Sequence, residues 1–179
     1  PHPHRMKLAL FHLDHTLLPI DSDYAWGVFT QDIGWCDPVE FKARNDAFFA
    51  QYQAGTLDVH EYVRFATQAL RERGPEQAEA ARQRFMQSVI GPALRAKARE
   101  LVERHRAAGD HLVIITATNE FVTRPIADAL GIDDLIAVRL ARGDDGWYTG
   151  DIDGVPSMRE GKVTRFEEWL SARGLGWGD

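Results

Sequence analysis

The sequence predicts an α/β fold: a Rossmann-like parallel sheet with helices on its faces and a helical block inserted after the first strand. Three observations predict it. Lys7 to Leu13 (KLALFHL) and His111 to Thr116 (HLVIIT) are short apolar runs of the kind that strands buried on both faces of a parallel sheet require. Between them, from Asp23 to about Arg84, the chain turns rich in Ala, Gln, Glu and Arg, with aromatics at helical spacing. After Gly91-Pro92, helical and apolar strand segments alternate, which implies parallel strands joined by crossovers.

Each element follows from local chemistry. Met6 reads as the native start, and Pro1 to Arg5 are left outside the predicted fold. The first strand ends at Asp14-His15-Thr16, polar residues placed where a strand hands over to a loop. Gly34, Asp37-Pro38, Gly55 and Gly74-Pro75 divide the helical block into about four helices. Phe41, Phe48, Phe49 and Tyr52, then Tyr62 and Phe65, are read as the packing positions of those helices. A further helix is predicted from Ala93 to Ala108, stopping near Gly109. The strand at His111 to Thr116 is followed by a helix from Glu120 to Leu130, with Gly131 as its stop, and by a strand from Leu135 to Leu140. Gly143-Asp-Asp-Gly146 reads as a hairpin turn, and Gly161 to about Leu170 as a last amphipathic helix. The expected division is an α/β core of residues 6–20 and 91–179 with a helical unit of residues 21–90.

Composition narrows the classes of partner. Across 179 residues there are 21 Lys and Arg against 27 Asp and Glu, a formal charge of -6, so no general basic surface exists for nucleic acid or anionic lipid. Neither partner is expected. Cys36 is the one cysteine, which rules out an internal disulfide and a multi-cysteine metal site and suits a reducing cytoplasm. No apolar stretch approaches the roughly 18 residues of a membrane span. A cytoplasmic protein is expected.

Ligands of open α/β sheets bind beyond the carboxyl ends of the strands, so the residues just after each apolar run carry the functional signal. These are His12, Asp14 and Thr16 after the first run, Thr116, Thr118 and Asn119 after the second, and Lys162 at the start of the last helix. The types suit a phosphate ester: hydroxyls and backbone N–H groups donate to phosphoryl oxygens, lysine supplies charge, and a carboxyl group can protonate a leaving alkoxide. A small phosphorylated metabolite is the expected ligand. Asp21, Ser22 and Asp23, at the entry to the helical block, are read first as a solvated turn and otherwise as contacts for an amine-bearing substrate.

Phe11-His-Leu-Asp-His-Thr-Leu-Leu18 resembles the first motif of the haloacid dehalogenase (HAD) superfamily, and Leu8 to Trp26 is similar to its phosphoserine-phosphatase-like branch. Ile114-Ile-Thr-Ala-Thr-Asn119 resembles the second motif and Arg159-Glu-Gly-Lys162 the third. The resemblance implies a HAD core with a small helical cap at residues 21–90, ancestry in phosphomonoester hydrolysis, and Mg²⁺ as cofactor. It further implies Asp14 as general acid, with Thr116 and Lys162 binding the phosphoryl group. Two departures stand out. His12 occupies the place of the attacking aspartate, where an imidazole is a poor ligand for Mg²⁺. The fourth, acidic motif is expected after a further strand, whereas this sequence ends at Gly176-Trp-Gly-Asp179, so a core truncated at its carboxyl end is expected.

His12 then has three readings: altered or lost chemistry, a phosphoryl-accepting nucleophile, or a ligand for Zn²⁺ or Mn²⁺ together with Asp14 or His15. The corresponding functions are a phosphohydrolase of altered mechanism, a silent phosphate-binding module with no metal, and a transition-metal phosphoesterase in which bound water attacks. Lys7 to Leu13 is also expected to be a sheet edge, with apolar surface that a second copy of the chain would cover in a homodimer.

Overall fold

In the computed structural model, which describes residues 5–179, Leu8–His12 (β1) lies at one edge of a parallel three-stranded sheet. The reading of Pro1 to Arg5 therefore falls outside the described residues except at Arg5. The helices Ser22–Asp32 (α1), Pro38–Ala54 (α2), Val59–Arg73 (α3) and Pro75–Phe85 (α4) follow, as the glycine and proline punctuation predicts. Asp21, Asp37 and Asp58 cap the first three, each accepting a backbone N–H of its helix's first turn. Gly55 closes α2 in the left-handed region at φ 74°, where a side chain would be strained.

The return from the helical block differs from the single helix expected from Ala93. The last turn of α4 widens into a π-helical stretch, Met86–Ile90, followed by a short turn, Gly91–Ala93 (α5). Leu94 is extended at ψ 93°, so the next helix starts only at Ala96 and runs to Ala107 (α6). The central strand His111–Asn119 (β2) pairs with β1 on one side and with Asp134–Val138 (β3) on the other, Glu120–Ala129 (α7) making the crossover. Leu140–Arg142 (β4) and Tyr148–Ile152 (β5) form the antiparallel hairpin predicted from the glycines, and Glu160–Ala172 (α8) is the last helix. Among the described residues, no helix is long and apolar enough to cross a membrane.

The sheet is covered on both faces at its centre and on one face at its edge. Val113, Ile115 and Ile136 pack with Phe166 and Leu170 of α8, while Ile114, Phe11 and Ala9 join the larger core under α7 and the helical block. Strand β1 alternates: Ala9 and Phe11 are buried, whereas Leu10 is 45% exposed and His12 is exposed. An edge strand has one neighbour, and α8 lies over β2 and β3, so burial on both faces, as expected from both apolar runs, holds for β2 and not for β1.

The helical block is joined to the sheet by aromatic packing. Trp26 of α1, 2% exposed, meets Phe85 of α4 at 5.2 Å and Phe121 of α7 at 5.5 Å between ring centroids. Pro125 lies inside α7 and has no N–H to give the carbonyl of Phe121 one turn earlier. Arg82 of α4 supplies the donor instead, its Nη1 lying 3.1 Å from that oxygen, with the guanidinium 4.6 Å over the Phe121 ring. The hairpin closes the far side, the indole N–H of Trp147 donating to the carbonyl of Arg71 at 3.2 Å. Trp26→Ala is expected to cost about 3–5 kcal/mol in urea unfolding, as for a large aromatic removed from a core. Val163→Ala, at a 53% exposed position, should stay within about 0.5 kcal/mol of the wild type.

Candidate active site

Beyond the carboxyl end of β1 the chain turns sharply, with the amides of Thr16, Leu17 and Leu18 all donating to the carbonyl of Leu13. His15 is drawn to φ 60°, a left-handed conformation uncommon for a residue with a side chain. This turn presents Asp14 towards both the helical block and the sheet. Its Oδ1 accepts the backbone N–H of Ser22, the first residue of α1, at 2.7 Å. Its Oδ2 accepts the hydroxyl of Thr118, from β2, at 3.0 Å. Thr118 in turn donates its backbone N–H to Oγ1 of Thr116 at 3.1 Å. Three predicted residues therefore form one connected network.

Strand β2 runs three residues beyond the predicted end at Thr116, because Thr116, Thr118 and Asn119 are buried polar residues with partners rather than loop residues in solvent. Asn119, read as a substrate contact, caps α7: its side-chain oxygen accepts the N–H of Val122 at 3.2 Å. The carbonyl of Thr116 accepts the hydroxyl of Ser157 at 2.6 Å, which docks the loop before α8 onto β2. Gly161 lets that loop turn tightly, since a Cβ there would stand 2.0 Å from the carbonyl oxygen of Pro156. Lys162, half-buried, follows in the first turn of α8.

A cavity of about 590 Å³ opens between this network and the helical block. Of the predicted set, Asp14, Asp21, Asp23 and Thr118 line it. His12, Thr16, Thr116, Asn119 and Lys162 are not among its lining residues. For His12 the cause is the pleat: it shares the outer face of β1 with Leu8 and Leu10, opposite to Phe11. Asp21 is tied to the start of α1, accepting the N–H of Tyr24 at 3.0 Å.

Asp23 accepts the hydroxyl of Tyr62 across the cavity. Its carboxyl is pushed up to about 6, chiefly by burial, with Tyr62 pulling the other way and Asp21 and Asp14 adding repulsion. The Tyr62 hydroxyl is pushed upward as well, by burial first and then by the Asp23 charge. Tyr62 and Met158, which also line the cavity, carried no functional signal in the sequence. At the rim Arg159 holds φ 51° and reaches the other side, donating to the carbonyl of Tyr52 at 3.3 Å with its guanidinium 5.2 Å from that ring.

Metal fit can be read from the same residues. Among the described residues, no group of three His, Cys, Asp or Glu side chains gathers as a ligand set. Each Asp14 oxygen already accepts a hydrogen bond, and His12 with Asp14 makes at most two ligands, so these side chains alone do not compose a Mg²⁺, Zn²⁺ or Mn²⁺ site.

Asp23 gives a pH signature. Between the ordinary aspartate value of 3.8 and about 6, the folded protein keeps a proton that the unfolded chain has released, so stability falls as pH rises through that window. The two-unit difference corresponds to roughly 3 kcal/mol lost by neutral pH. Asp23→Asn is therefore expected to be more stable than the wild type at pH 7.5 by up to about 3 kcal/mol, with the gap closing towards pH 4. Urea denaturation of both proteins at the two pH values measures it, and a pH-independent gap would contradict the assignment.

The sequence and the fold have counterparts among known proteins. The sequence matches the haloacid dehalogenase-like hydrolase family over residues 9–179. A histidinol-phosphatase of Neisseria meningitidis is 39% identical over 168 residues, 94% of this chain and 76% of that protein. Protein CicA of Caulobacter vibrioides is 33% identical over 169 residues, spanning 92% of this chain and 73% of its own length. A crystal structure of a Bordetella pertussis protein of unknown function has a TM-score of 0.89 at 46% identity, covering 97% of this chain and 78% of that one. A substrate-bound phosphoserine phosphatase shares the fold, with a TM-score of 0.61 at 21% identity, covering 97% and 75% of the two chains. By its motifs, its fold and its match over nearly the whole sequence, the chain belongs to the haloacid dehalogenase-like hydrolases.

Proposed function

We propose that the cavity takes a small phosphate monoester and that this chain is a phosphohydrolase whose nucleophilic step is altered at His12. The observation that carries the reading is Asp14 at the cavity wall, both carboxylate oxygens fixed, one by the first amide of α1 and one by Thr118. A carboxyl group so oriented meets the bridging oxygen of an ester in one geometry and, once it has taken a proton from solvent, passes that proton to the leaving alkoxide. Thr116 and Lys162 are assigned to the phosphoryl end. The docking of the Ser157 loop, which leads into α8, supports the Lys162 assignment. Asp21 and Asp23 are assigned to the remainder of the substrate. Residues 21–90 act in this reading as a cap over a core of residues 6–20 and 91–179. The relative named a histidinol-phosphatase supports hydrolysis of a phosphate ester.

Phosphatases of this family generally use Mg²⁺. The side chains gathered here do not by themselves accommodate it. His12 stands in the place of the family's attacking aspartate, and an imidazole cannot form the acyl phosphate that a carboxylate forms. Release of inorganic phosphate from an alkyl phosphate such as glycerol 2-phosphate, assayed with Mg²⁺, Mn²⁺ and Zn²⁺ in turn, tests the reading. His12→Asp is expected to raise the rate by at least about 100-fold, and adding Asp14→Asn to lower it again by about 10²–10⁴. Failure of both wild type and His12→Asp with every metal, while inorganic phosphate still binds in calorimetry, would make the chain a silent phosphate-binding module.

We also propose that two copies pair along β1. That strand is the sheet edge among the described residues, and Leu10 and Met6 leave 45% and 38% of their surface open beside it. Light scattering at micromolar concentration should give the mass of a dimer, and Leu10→Lys should give a monomer; a wild-type monomer would overturn the pairing.

A further inference from the structure

At the sheet edge opposite β1, the groove between α7, β3 and α8 holds a second cavity, of about 320 Å³. It shares no lining residue with the cavity at Asp14, whose other wall carries Phe41, Phe48, Phe49 and Tyr52 of α2. Four of its side chains are arginines, Arg124, Arg139, Arg165 and Arg173, against two carboxylates, Glu120 and Glu168. In a chain with a formal charge of -6, so much positive charge in one groove runs against the composition.

Two of the arginines are committed to the protein. Arg124 pairs with Asp128 at 2.8 Å and donates to the carbonyls of Ile132 and Asp133. Arg173 donates to Asp134 at 2.5 Å, with its guanidinium 3.8 Å over the Trp169 ring. The other two keep donors to spare. Arg165 is 6% exposed and spends Nη1 on the carbonyls of Ala137 and Val155, at 2.7 and 3.0 Å. Its Nη2 is left without an acceptor among the described residues, and the half-exposed carboxylate of Glu168 stands 3.8 Å from Nε, outside hydrogen-bond reach. Arg139 enters no ion pair among the described residues. Its guanidinium lies against Gly154, at φ 76°, where a Cβ would stand 2.8 Å from Nη2.

The two charges are felt across the groove. Burial first, and the charge of Arg139 next, hold the Arg165 guanidinium below its usual value, with Glu168, Glu120 and Asp153 pulling the other way. Buried charge is costly unless it is paired. A carboxylate would bring one negative charge to two guanidiniums, whereas a phosphoryl group carries roughly -1.5 to -2 near neutral pH and meets the planar fork of an arginine with two oxygens.

We propose that Arg139 and Arg165 form a second oxyanion site, which takes a phosphate dianion, free or at the end of a small metabolite, apart from the cavity at Asp14. This goes beyond the phosphate-ester reading and does not depend on it. Because Arg165 also holds the carbonyl of Val155, in the loop that leads into α8, an anion bound there steadies the segment that carries Lys162.

Phenylglyoxal modification of the full chain, read by peptide mass spectrometry, tests the site, since it resolves Arg139, which is exposed, from the other arginines. Inorganic phosphate at pH 8 should slow modification of Arg139 at least about threefold relative to sodium chloride of equal ionic strength. Sulfate should do the same and acetate should not. Propylphosphonate, which carries the group on carbon and cannot be hydrolysed, separates the two sources: its protection assigns the site to phosphorylated metabolites as well, and protection by the inorganic ions alone assigns it to free phosphate. Equal rates in phosphate and chloride, or equal protection by acetate, overturn the inference in the wild type without recourse to any variant. Protection of Arg139 in a protein that cleaves no phosphate ester supports the second site and counts against the phosphate-ester reading only.

Discussion

The carboxylate of Asp14 joins three parts of the chain that sequence order keeps apart. It follows β1, it holds the first amide of α1, and it accepts a hydroxyl from β2 more than a hundred residues later. One half-buried group therefore sets the angle at which the helical block leaves the sheet and fixes where the cavity opens. With an oxygen committed to each, this one side chain holds the start of α1 and the end of β2 in register. The same side chain is also the proposed proton donor. A change at Asp14 would alter architecture and chemistry together.

The other ties between block and sheet are apolar. Trp26 sits among Phe29, Phe85 and Phe121, drawing on α1, α4 and α7 at once. The β4–β5 hairpin backs α3, where Arg64 and Asp151 form an exposed ion pair that contributes little beside the packing of Trp147. The cavity is framed by a rigid core side, a hydrogen-bonded turn and an aromatic helix face. Asp23 with Tyr62 makes a polar bridge from wall to wall.

Much of this was legible because it is written locally. The apolar runs at Leu8 and His111 declare strands, the glycines and prolines between residues 34 and 75 delimit α1 to α4, and the glycines at 143 and 146 announce the hairpin. Asn119 directly before Glu120 carries a cap signal, and its side-chain oxygen does cap α7. What the sequence hid depends on partners far along the chain. Ser157 is one serine among several until it meets the carbonyl of Thr116, 41 residues away, and Tyr62 is a helix aromatic until it meets Asp23, 39 residues away. Helical periodicity identifies the apolar face of α2 but not what lies before it, and a cavity wall and a core face have the same sequence pattern. The π-helical stretch at Met86–Ile90 left no signal that we can identify.

The carbonyl of Phe121 has a lesson for sequence change. Because Pro125 withholds a donor that an ordinary helix would provide, Arg82 has become that helix's missing rung, although it belongs to a different segment. Positions 82 and 125 are thereby thermodynamically coupled. An arginine lost alone strands a carbonyl within the packed interface; an alanine gained at 125 lets the helix complete itself and sets the guanidinium adrift; the two changes together would be milder than their sum. Drift at the boundary between block and sheet should therefore proceed in pairs, and a homologue without the proline has no need of the arginine.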